Sequence, residues 1–427
     1  MQRRIPLFLA FLNKLGAFLL ERKLAVTSNN AEGPRVVRVM TTCLLLATSF
    51  VSPTISAAAA AAPKTSPIDC EAIYQAPGHG EWFYEENPTY FDPRNETGAL
   101  PSAKPEKHHL NHEHLQEGVA KLRESDRSLS VIVVKGGDII LEEYFNGSGR
   151  NHSNNVHSAS KSIMSTLVGI AIDRGDIKSV DQPLSDFFPE YFSDTDNKFK
   201  QSLTVRHLLT MSAGFEWRHD PVRGTEIEIQ SQPDWVNAIL SLPITNRPGQ
   251  KFFYNTGLTH LMSALISRAT DMSTCRFAHD FLLEPIGITT EHWGRDPQGV
   301  YSGGYNFYIT PREMATFGQL ILNGGSLNGQ QLVPREWIRE SATPHFTPSR
   351  GSNASWWSKN RVGHGYNWWL LRINDQAVLS AWGWGGQMIY VIPELDTVVV
   401  LTKDTSDAKA VAKDPVNHDF VRDYILK

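Results

Sequence analysis

Ser158 and Lys161 stand three residues apart at the start of an apolar stretch, "VHSASKSIMSTLVGIAIDRGDI", which covers 156–177. Residues three apart share one face of a helix, so the two side chains are expected to project together near a helix N-terminus. Four apolar residues continue the helical pattern and predict that the helix is buried: Ile163, Leu167, Ile170 and Ala171.

A lysine beside a serine at the mouth of a buried helix predicts nucleophilic chemistry. Burial disfavours the charged amine and lowers its pKa, so Lys161 can take the proton of Ser158. The helix N-terminus adds N–H groups and a positive dipole end that stabilise negative charge. Ser158 is therefore a candidate nucleophile for acyl transfer. The same spacing recurs at Ser406 and Lys409, but in a polar segment with no buried helix, which predicts a surface turn.

Further segments follow the nucleophile: "LTVRHLLTMSAGFEW" at 203–217, "RPGQKFFYNTGLTHLMSALISRAT" at 247–270, "ITPREMATFGQLILNGGSLNGQQLVPREWI" at 309–338 and "AWGWGGQMIYVIPELDTVVVLT" at 381–402. Together the segments resemble the serine β-lactamase and penicillin-binding-protein superfamily. They are similar to its branch of class C β-lactamases, family VIII esterases and 6-aminohexanoate-dimer hydrolases. The resemblance covers roughly residues 129–425, and it implies a serine hydrolase that uses no metal or organic cofactor.

The resemblance implies a role for each motif residue. Ser158 would be the acylated nucleophile and Lys161 its partner. Tyr254 begins the second motif, and it would act as general base towards Ser158 and general acid towards the leaving group. Because a phenol has a pKa near 10, Tyr254 requires a nearby cation such as Lys161. The backbone N–H groups of Ser158 and Gln387 would form the oxyanion hole.

Two departures from the family pattern bear on the substrate. Thr256 replaces the asparagine common in the second motif, and Trp384-Gly385-Gly386 stands where many β-lactamases have Lys-Thr-Gly. These four residues are expected to contact the substrate, the two glycines by allowing close backbone approach. The cation that would hold a β-lactam carboxylate is thereby missing from position 384.

The residues around the third motif leave two questions open. His364 or Arg361, from the preceding segment, could replace the missing cation. Trp382 and Trp384, with Trp368 and Trp369, predict an aromatic wall, although half or more of them can equally be core.

The elements that must position these residues are strands at both chain ends and helices between them. "LSVIVVKGGDIILEEYF", at 129–145, predicts a hairpin. "GYNWWLLRI", "AVLSAWGWG" and "QMIYVIPELDTVVVLT" predict strands, and "DPVNHDFVRDYILK" predicts a closing helix. The pattern between about 181 and 345 is mostly helical. The fold class is therefore α/β (α+β) and β-lactamase/transpeptidase-like, with one antiparallel sheet from both chain ends and an inserted helical region.

Residues 63–127 predict an extended arm that leads to a short helix, "HLQEGVAKLRES". The tract "HHLNHEH" at 108–114 invites a metal interpretation, since His108 and His112 would share a face of a helix. No second histidine stands three residues after Glu113, as a catalytic zinc helix requires. A solvated segment without a metal is the expectation, and residues 128–427 are expected to form the hydrolase domain.

Residues 1–62 predict a leader for export to the periplasm or the medium. Arg35 and Arg38 precede an apolar core at 41–51, and small residues suited to cleavage follow it. The apolar core is too short to span a bilayer. Once the leader is removed, Cys70 and Cys275 remain, and a single bridge between them is possible.

Composition excludes several classes of protein. The chain has 427 residues, of which 41% are hydrophobic and 20% charged, as expected for a globular enzyme. The net charge of -4 argues against a nucleic-acid partner. The leading hypothesis is a hydrolase of small-molecule esters or amides. The alternatives are a β-lactamase or D,D-peptidase, and a catalytically silent member of the fold that binds a partner. The oligomeric state is left open.

Overall fold

The computed structural model describes residue 70 and residues 100–193, 197–220, 223–290, 292–347, 360–407 and 418–427. The predicted leader, residues 1–62, lies outside the described residues, and so does Lys409 of the second serine–lysine spacing. Ser406, its serine, is exposed, as a surface turn requires. Among the described residues, no helix is both long enough and apolar enough to cross a membrane.

The strands of the described residues run in chain order: β1 (Ser128–Lys135), β2 (Asp138–Tyr144), β3 (Asn154–Asn155), β4 (Tyr308–Ile309), β5 (Ser326–Leu327), β6 (Gln330–Gln331), β7 (Arg361–His364), β8 (Trp369–Ile373), β9 (Gln376–Gly383), β10 (Gln387–Ile392) and β11 (Thr397–Lys403). Seven of them form one sheet in the order β2-β1-β11-β10-β9-β8-β7. Every neighbouring pair in this sheet is antiparallel.

The α-helices are α1 (His112–Arg123), α2 (Ser160–Asp173), α3 (Lys198–Gln201), α4 (Val205–Leu209), α5 (Thr225–Gln230), α6 (Trp235–Leu240), α7 (Thr256–Thr270), α8 (Thr274–Ala278), α9 (Pro311–Leu322) and α10 (Arg335–Ser341). Shorter 3₁₀ turns lie at Pro105–His108, His157–Ala159, Leu184–Asp186, Pro189–Tyr191, Glu284–Ile286 and Pro393–Leu395. π-helical turns occupy His279–Leu283 and Val421–Ile425.

Both chain ends build the sheet, which confirms the predicted fold class. The β1–β2 hairpin turns at Gly136 and Gly137, whose φ angles of 60° and 86° favour glycine. β1 pairs on its other side with β11, where Val131 stands opposite Leu401. The helices from α2 to α10 lie in the chain between the hairpin and strands β7–β11.

Alternating apolar side chains give the sheet two buried faces. On the inner face, Ile132, Ile389 and Val400 join the large core that includes α2, α7 and α9. On the outer face, Val133, Tyr390 and Leu401 are among the residues of a smaller core with α1 and the C-terminal turn. Strands buried on both faces explain why their sequences are almost continuously apolar.

The predicted short helix of the arm belongs to the outer layer, where it packs its apolar face on β1. It begins at His112, because the Asn111 side chain caps it by accepting the N–H of Glu113 at 2.9 Å. His108 lies before the helix in a 3₁₀ turn and hydrogen-bonds Asp138 at 2.8 Å. The expectation that His108 and His112 share a helical face is therefore wrong.

A disulfide joins Cys70 to Cys275, so the bridge left open by the sequence is present. Cys275 lies in α8, inside the helical region. The Tyr301 hydroxyl also donates a hydrogen bond to the backbone carbonyl of Cys70. Cys70 is thus fixed covalently to the helical region.

Candidate active site

Ser158 lies in the 3₁₀ turn His157–Ala159 that leads directly into α2. His157 before it has a left-handed φ of 45°, and its N–H donates to Asn155 Oδ1 at 3.0 Å. Val156 donates its N–H to the carbonyl of Phe307 at 3.0 Å. These bonds attach the turn to the β4 segment, so the Ser158 backbone is held from both sides. Ser158 itself is half-buried at the mouth of the helix.

Lys161 is buried, with 3% of the residue exposed. Its Nζ donates to Ser158 Oγ at 3.0 Å and to the backbone carbonyl of Gly304 at 2.8 Å. Burial lowers the pKa of Lys161, and the attraction of Glu226 opposes that shift. The amine that the sequence placed beside the serine is thus within hydrogen-bond reach, and its charged form is disfavoured.

Tyr254 lies two residues before α7, and its hydroxyl is hydrogen-bonded to that of Ser158. Lys161 Nζ lies 5.4 Å from the centre of the Tyr254 ring. Burial raises the pKa of Tyr254 above its usual value; the Ser158 hydrogen bond lowers it, and the Glu226 charge raises it further. Ser158, Lys161 and Tyr254 therefore meet at one point, although they come from separate parts of the chain.

Glu226 is a neighbour of this cluster that the sequence analysis did not identify. It lies in the six-residue helix α5, and its carboxylate is hydrogen-bonded by the Thr256 side chain. Burial raises the pKa of Glu226, whereas the Lys161 charge opposes the increase. No motif pattern marks a glutamate that lies far from both Ser158 and Tyr254 in sequence, so only the folded chain shows this proximity. Thr256 bonds to Glu226, and its predicted contact with substrate stays a prediction.

The loop between Trp293 and Phe307 brings a carbonyl to Lys161. A Cβ added at Gly304 would lie 2.6 Å from Lys161 Nζ, and one added at Gly303 would lie 1.8 Å from the Thr259 carbonyl oxygen. A side chain at Gly303 would collide with backbone, whereas one at Gly304 would require Lys161 to move. The two glycines therefore let the loop backbone pack directly on α7 and on the lysine.

The third motif forms the turn between β9 and β10. Gly385 and Gly386 have φ angles of 78° and 105°, so the turn itself requires glycine. A Cβ at Gly383 would lie 2.1 Å from the Val156 carbonyl oxygen, which places the end of β9 against the nucleophile segment. Gln387 is fully buried, and its side chain donates to the Lys403 carbonyl at 2.7 Å. The oxyanion role of its N–H stays a prediction.

Aromatic rings flank the cluster. Trp369 stacks on Tyr254 at 5.8 Å between ring centres and contacts Trp382 edge-on at 6.4 Å. Trp384 lies 5.5 Å from the ring of His157. Trp368 is fully buried and stacks on Phe317 in the inner core. Trp369 and Trp384 thus lie beside residues of the site, Trp382 also packs against the outer core, and Trp368 belongs to the inner core. The aromatic wall stays a prediction.

The two cations that could replace the missing lysine differ in their surroundings. His364 is buried, and desolvation lowers its pKa to about 3, so the ring is neutral at physiological pH. It packs against Phe252 and Trp369 at 4.8 and 4.7 Å between ring centres. The Arg361 guanidinium lies over the Trp369 ring at 5.1 Å. His364 is therefore neutral among these rings, whereas Arg361 carries a positive charge beside Trp369.

A possible metal-binding group lies elsewhere, at the π-helical turn after α8. Ligand atoms of His279, Asp280 and Glu284 lie within 4.8 Å of one another. Asp280 already accepts hydrogen bonds from Arg276 at 2.7 Å and pairs with His279 at 2.9 Å. Because this carboxylate is satisfied by protein groups, the three side chains carry no metal assignment.

The family described as Beta-lactamase matches residues 114–421 of the chain. A 6-aminohexanoate-dimer hydrolase of Paenarthrobacter ureafaciens is 23% identical over 288 residues, which are 63% of this chain and 70% of that protein.

Solved structures have a fold similar to that of this chain. A candidate 6-aminohexanoate-dimer hydrolase from Bacillus anthracis superposes with a TM-score of 0.60 at 19% identity, covering 82% of this chain and 96% of that one. EstCE1, a hydrolase with promiscuous acyltransferase activity, has a TM-score of 0.55 at 14% identity, covering 74% of this chain and 99% of that one. At these identities the likeness shows the fold.

Proposed function

The chain belongs to the beta-lactamase family, and from that premise we propose that it is a serine hydrolase that cleaves esters or amides through an acyl-enzyme on Ser158. One observation carries the proposal: Ser158 Oγ is hydrogen-bonded both by Lys161 Nζ, at 3.0 Å, and to the Tyr254 hydroxyl. A nucleophile with a base in reach is the arrangement that acyl transfer needs. A silent binding protein has no need of this convergence.

In the acylation step, Ser158 Oγ attacks the substrate carbonyl carbon and its proton passes to Lys161. The new C–O bond forms as the carbonyl π electrons move to oxygen, where backbone N–H groups stabilise the charge. Lys161 fits the role of proton acceptor better than Tyr254, because burial lowers the pKa of Lys161 and raises that of Tyr254. A neutral amine is thus accessible near physiological pH, whereas a phenolate is not.

The tetrahedral intermediate then collapses and its bond to the leaving group breaks. The Tyr254 hydroxyl gives its proton to the departing oxygen or nitrogen and regains one from the Lys161 ammonium. Water repeats the sequence on the acyl-enzyme: its oxygen bonds to the acyl carbon, its proton passes to the same base, and Ser158 leaves protonated. No step in this scheme calls for a cofactor.

The substrate class we propose is an uncharged ester or a linear amide. A β-lactam carboxylate needs a cation or several donors in a partly desolvated site. Trp384 stands where the family often has that cation, and His364 is neutral. Aromatic side chains instead favour apolar acyl and leaving groups, because burial of their apolar surface contributes about 25 cal/mol per Å² to the free energy of binding. The name of one similar protein, a 6-aminohexanoate-dimer hydrolase, supports a substrate other than a β-lactam.

Two measurements test the proposal. A fluorophosphonate should label Ser158, as read by peptide mass spectrometry, and Ser158→Ala should abolish the label. kcat/KM should be far higher for p-nitrophenyl butyrate than for nitrocefin under the same conditions. Higher efficiency on nitrocefin would favour a β-lactamase, and a fully folded chain that takes no label would favour the silent binding protein.

A further inference from the structure

We propose that Glu226 is the counter-charge of Lys161 and strengthens the affinity of its amine for a proton, so that the lysine acts as a base beside Ser158. Glu226 acts here through Lys161, as a positioning residue. The inference rests on the proposed function for its kinetic consequence, but the charge pair can be measured separately.

The geometry brings Glu226 into the surroundings of the amine through Thr256. The Thr256 hydroxyl bonds to the Glu226 carboxylate. A Cβ on Gly304 would lie 2.6 Å from Lys161 Nζ and 2.9 Å from Thr256 Cγ2, so the lysine and the threonine flank the same glycine. The Glu226 carboxylate therefore bonds to a side chain that lies beside the same glycine as the Lys161 amine.

One oxygen of the Glu226 carboxylate lacks a hydrogen-bond donor among the described residues. Glu226 Oε1 is buried, and among the described residues it has no hydrogen-bond partner. A buried carboxylate oxygen without a donor is costly, and the cost falls when the group is protonated or lies near an ammonium. The Lys161 amine supplies such a cation when it is charged.

Burial acts on the two groups in opposite directions. It lowers the pKa of Lys161 to about 7 and raises that of Glu226 to about 7, while their mutual attraction favours the charged pair. The pair has the same net charge when both groups are charged and when both are neutral. In the neutral form Lys161 is a free amine, which is the form that accepts the Ser158 proton.

Other titratable groups near the carboxylate are two phenols. Tyr254 and Tyr305 both interact with its charge, and burial raises the pKa of each. Both phenols are consequently neutral in the pH range in which the two groups titrate. His157 and His219 interact with the Lys161 charge, and desolvation lowers the pKa of each histidine.

The test is an NMR titration of the full chain with lysine ¹³C-labelled at Cε, which reports the charge of each amine. Lys161→Met assigns the Lys161 signal. Glu226→Gln should lower the titration midpoint of Lys161 by at least one pH unit, because an anion that favours the ammonium is gone. Glu226→Asp keeps a carboxylate and should give an intermediate midpoint. An unchanged midpoint in folded Glu226→Gln would overturn the proposal.

Glu228 provides a matched control. It lies two residues away in α5, it is more than half exposed, and it pairs with Arg218. Glu228→Gln removes the same charge from the same helix, but should leave the Lys161 midpoint where it is in the wild type. An equal shift in both variants would mean that α5 acts by general electrostatics, and would refute a specific pair.

The kinetic consequence separates this inference from the proposed function. The rate of Ser158 labelling by fluorophosphonate should fall at low pH, and Glu226→Gln should move that fall to lower pH by the same amount as the Lys161 midpoint. A role limited to stability would reduce the folded fraction without moving the profile. If the midpoint shifts but wild-type Ser158 takes no label, the pair stands and the hydrolase proposal fails.

Discussion

At the scale of residues, the site is a lysine removed from water and surrounded by oxygen atoms. Lys161 Nζ contacts the Ser158 hydroxyl and the Gly304 carbonyl, and Glu226 lies in its electrostatic reach. Neither a hydroxyl nor a carbonyl compensates fully for lost hydration of an ammonium. The surroundings therefore favour an amine that gains and loses its proton readily, which the proposed chemistry uses twice in each turnover.

Substitution of the three central residues should show that they act as a unit. Ser158→Ala, Lys161→Ala and Tyr254→Phe should each lower kcat for p-nitrophenyl butyrate by roughly 10³-fold or more. Double variants should be scarcely slower than single ones, because each loss already removes the common step. Steady-state kinetics on proteins with unchanged circular dichroism measures this. Wild-type turnover in Lys161→Ala would remove the lysine from the mechanism.

Ser406→Ala is the control for that series. Ser406 is exposed and its hydroxyl bonds only locally, to Asp404 at 3.1 Å. Turnover should stay within twofold of the wild-type value. An inactive Ser406→Ala protein would show that the other serine–lysine spacing carries the chemistry.

At the scale of elements, a loop and a helix start fix the position of the amine. Asp296, within the loop, accepts the N–H groups of Gln298 and Val300, each at 2.9 Å, and pairs with His260 of α7 at 3.0 Å. Both partners of the histidine–aspartate pair are buried. The loop is thereby attached to the helix that follows Tyr254, and its Gly304 carbonyl stays in contact with Lys161.

Gly304→Ala should therefore impair catalysis more than stability. The added methyl would lie 2.6 Å from Lys161 Nζ, and moving the flexible lysine away is the easiest relief. A displacement of about 1 Å at the chemistry can cost 10²-fold, so we expect kcat/KM to fall roughly 10- to 100-fold. Kinetics and thermal unfolding on the same sample measure the two effects.

Gly149→Ala serves as the comparison for this loop variant. A Cβ there would meet its nearest neighbour, His152, only at 3.9 Å. Both activity and melting temperature should match the wild type. If Gly304→Ala also left activity and melting temperature unchanged, the loop carbonyl would have no part in positioning Lys161.

Features that depend on residues close together in the sequence could be predicted. Contacts between segments that are remote in the sequence could not. Three-residue spacing placed Lys161 beside Ser158, and apolar runs bounded by turn residues identified β8 to β11. Glu226 and Gly304 carry no such local signal, because each reaches Lys161 only when remote segments pack together. Tyr254 was found through its family motif, since one tyrosine among 12 has no distinguishing spacing of its own.

At the scale of the whole molecule, a covalent link joins the predicted arm to the helical region. The Cys70–Cys275 bridge spans 205 residues of sequence. In the chain-entropy model, closing a long loop stabilises the folded state by restricting the unfolded chain, typically by about 2–4 kcal/mol. Such a bridge persists in oxidising compartments, which supports our proposal that the protein is exported.

Loss of the bridge should lower the melting temperature by several degrees. The Cys275→Ser variant, and the wild-type protein treated with dithiothreitol, should both melt at a lower temperature than the oxidised wild type. Dithiothreitol should not lower the melting temperature of the variant further. Scanning calorimetry with a thiol count on the denatured protein measures it. Cys43→Ser, which changes a cysteine of the predicted leader, should leave the melting temperature unaltered. Identical melting with and without reductant would exclude a stabilising bridge.

Because β1 pairs with β11, the first strand of the sheet is synthesised long before its partner strand. Lys135 pairs with Thr397, so about 260 residues separate the partners along the chain. At a synthesis rate of roughly 5–20 residues per second, some tens of seconds pass between synthesis of the β1–β2 hairpin and synthesis of β11, which covers the edge of β1. An uncovered, apolar strand edge is a template for unwanted pairing. The nascent chain therefore has a period of risk that ends only when its last strand emerges, and it would benefit from a chaperone during that interval.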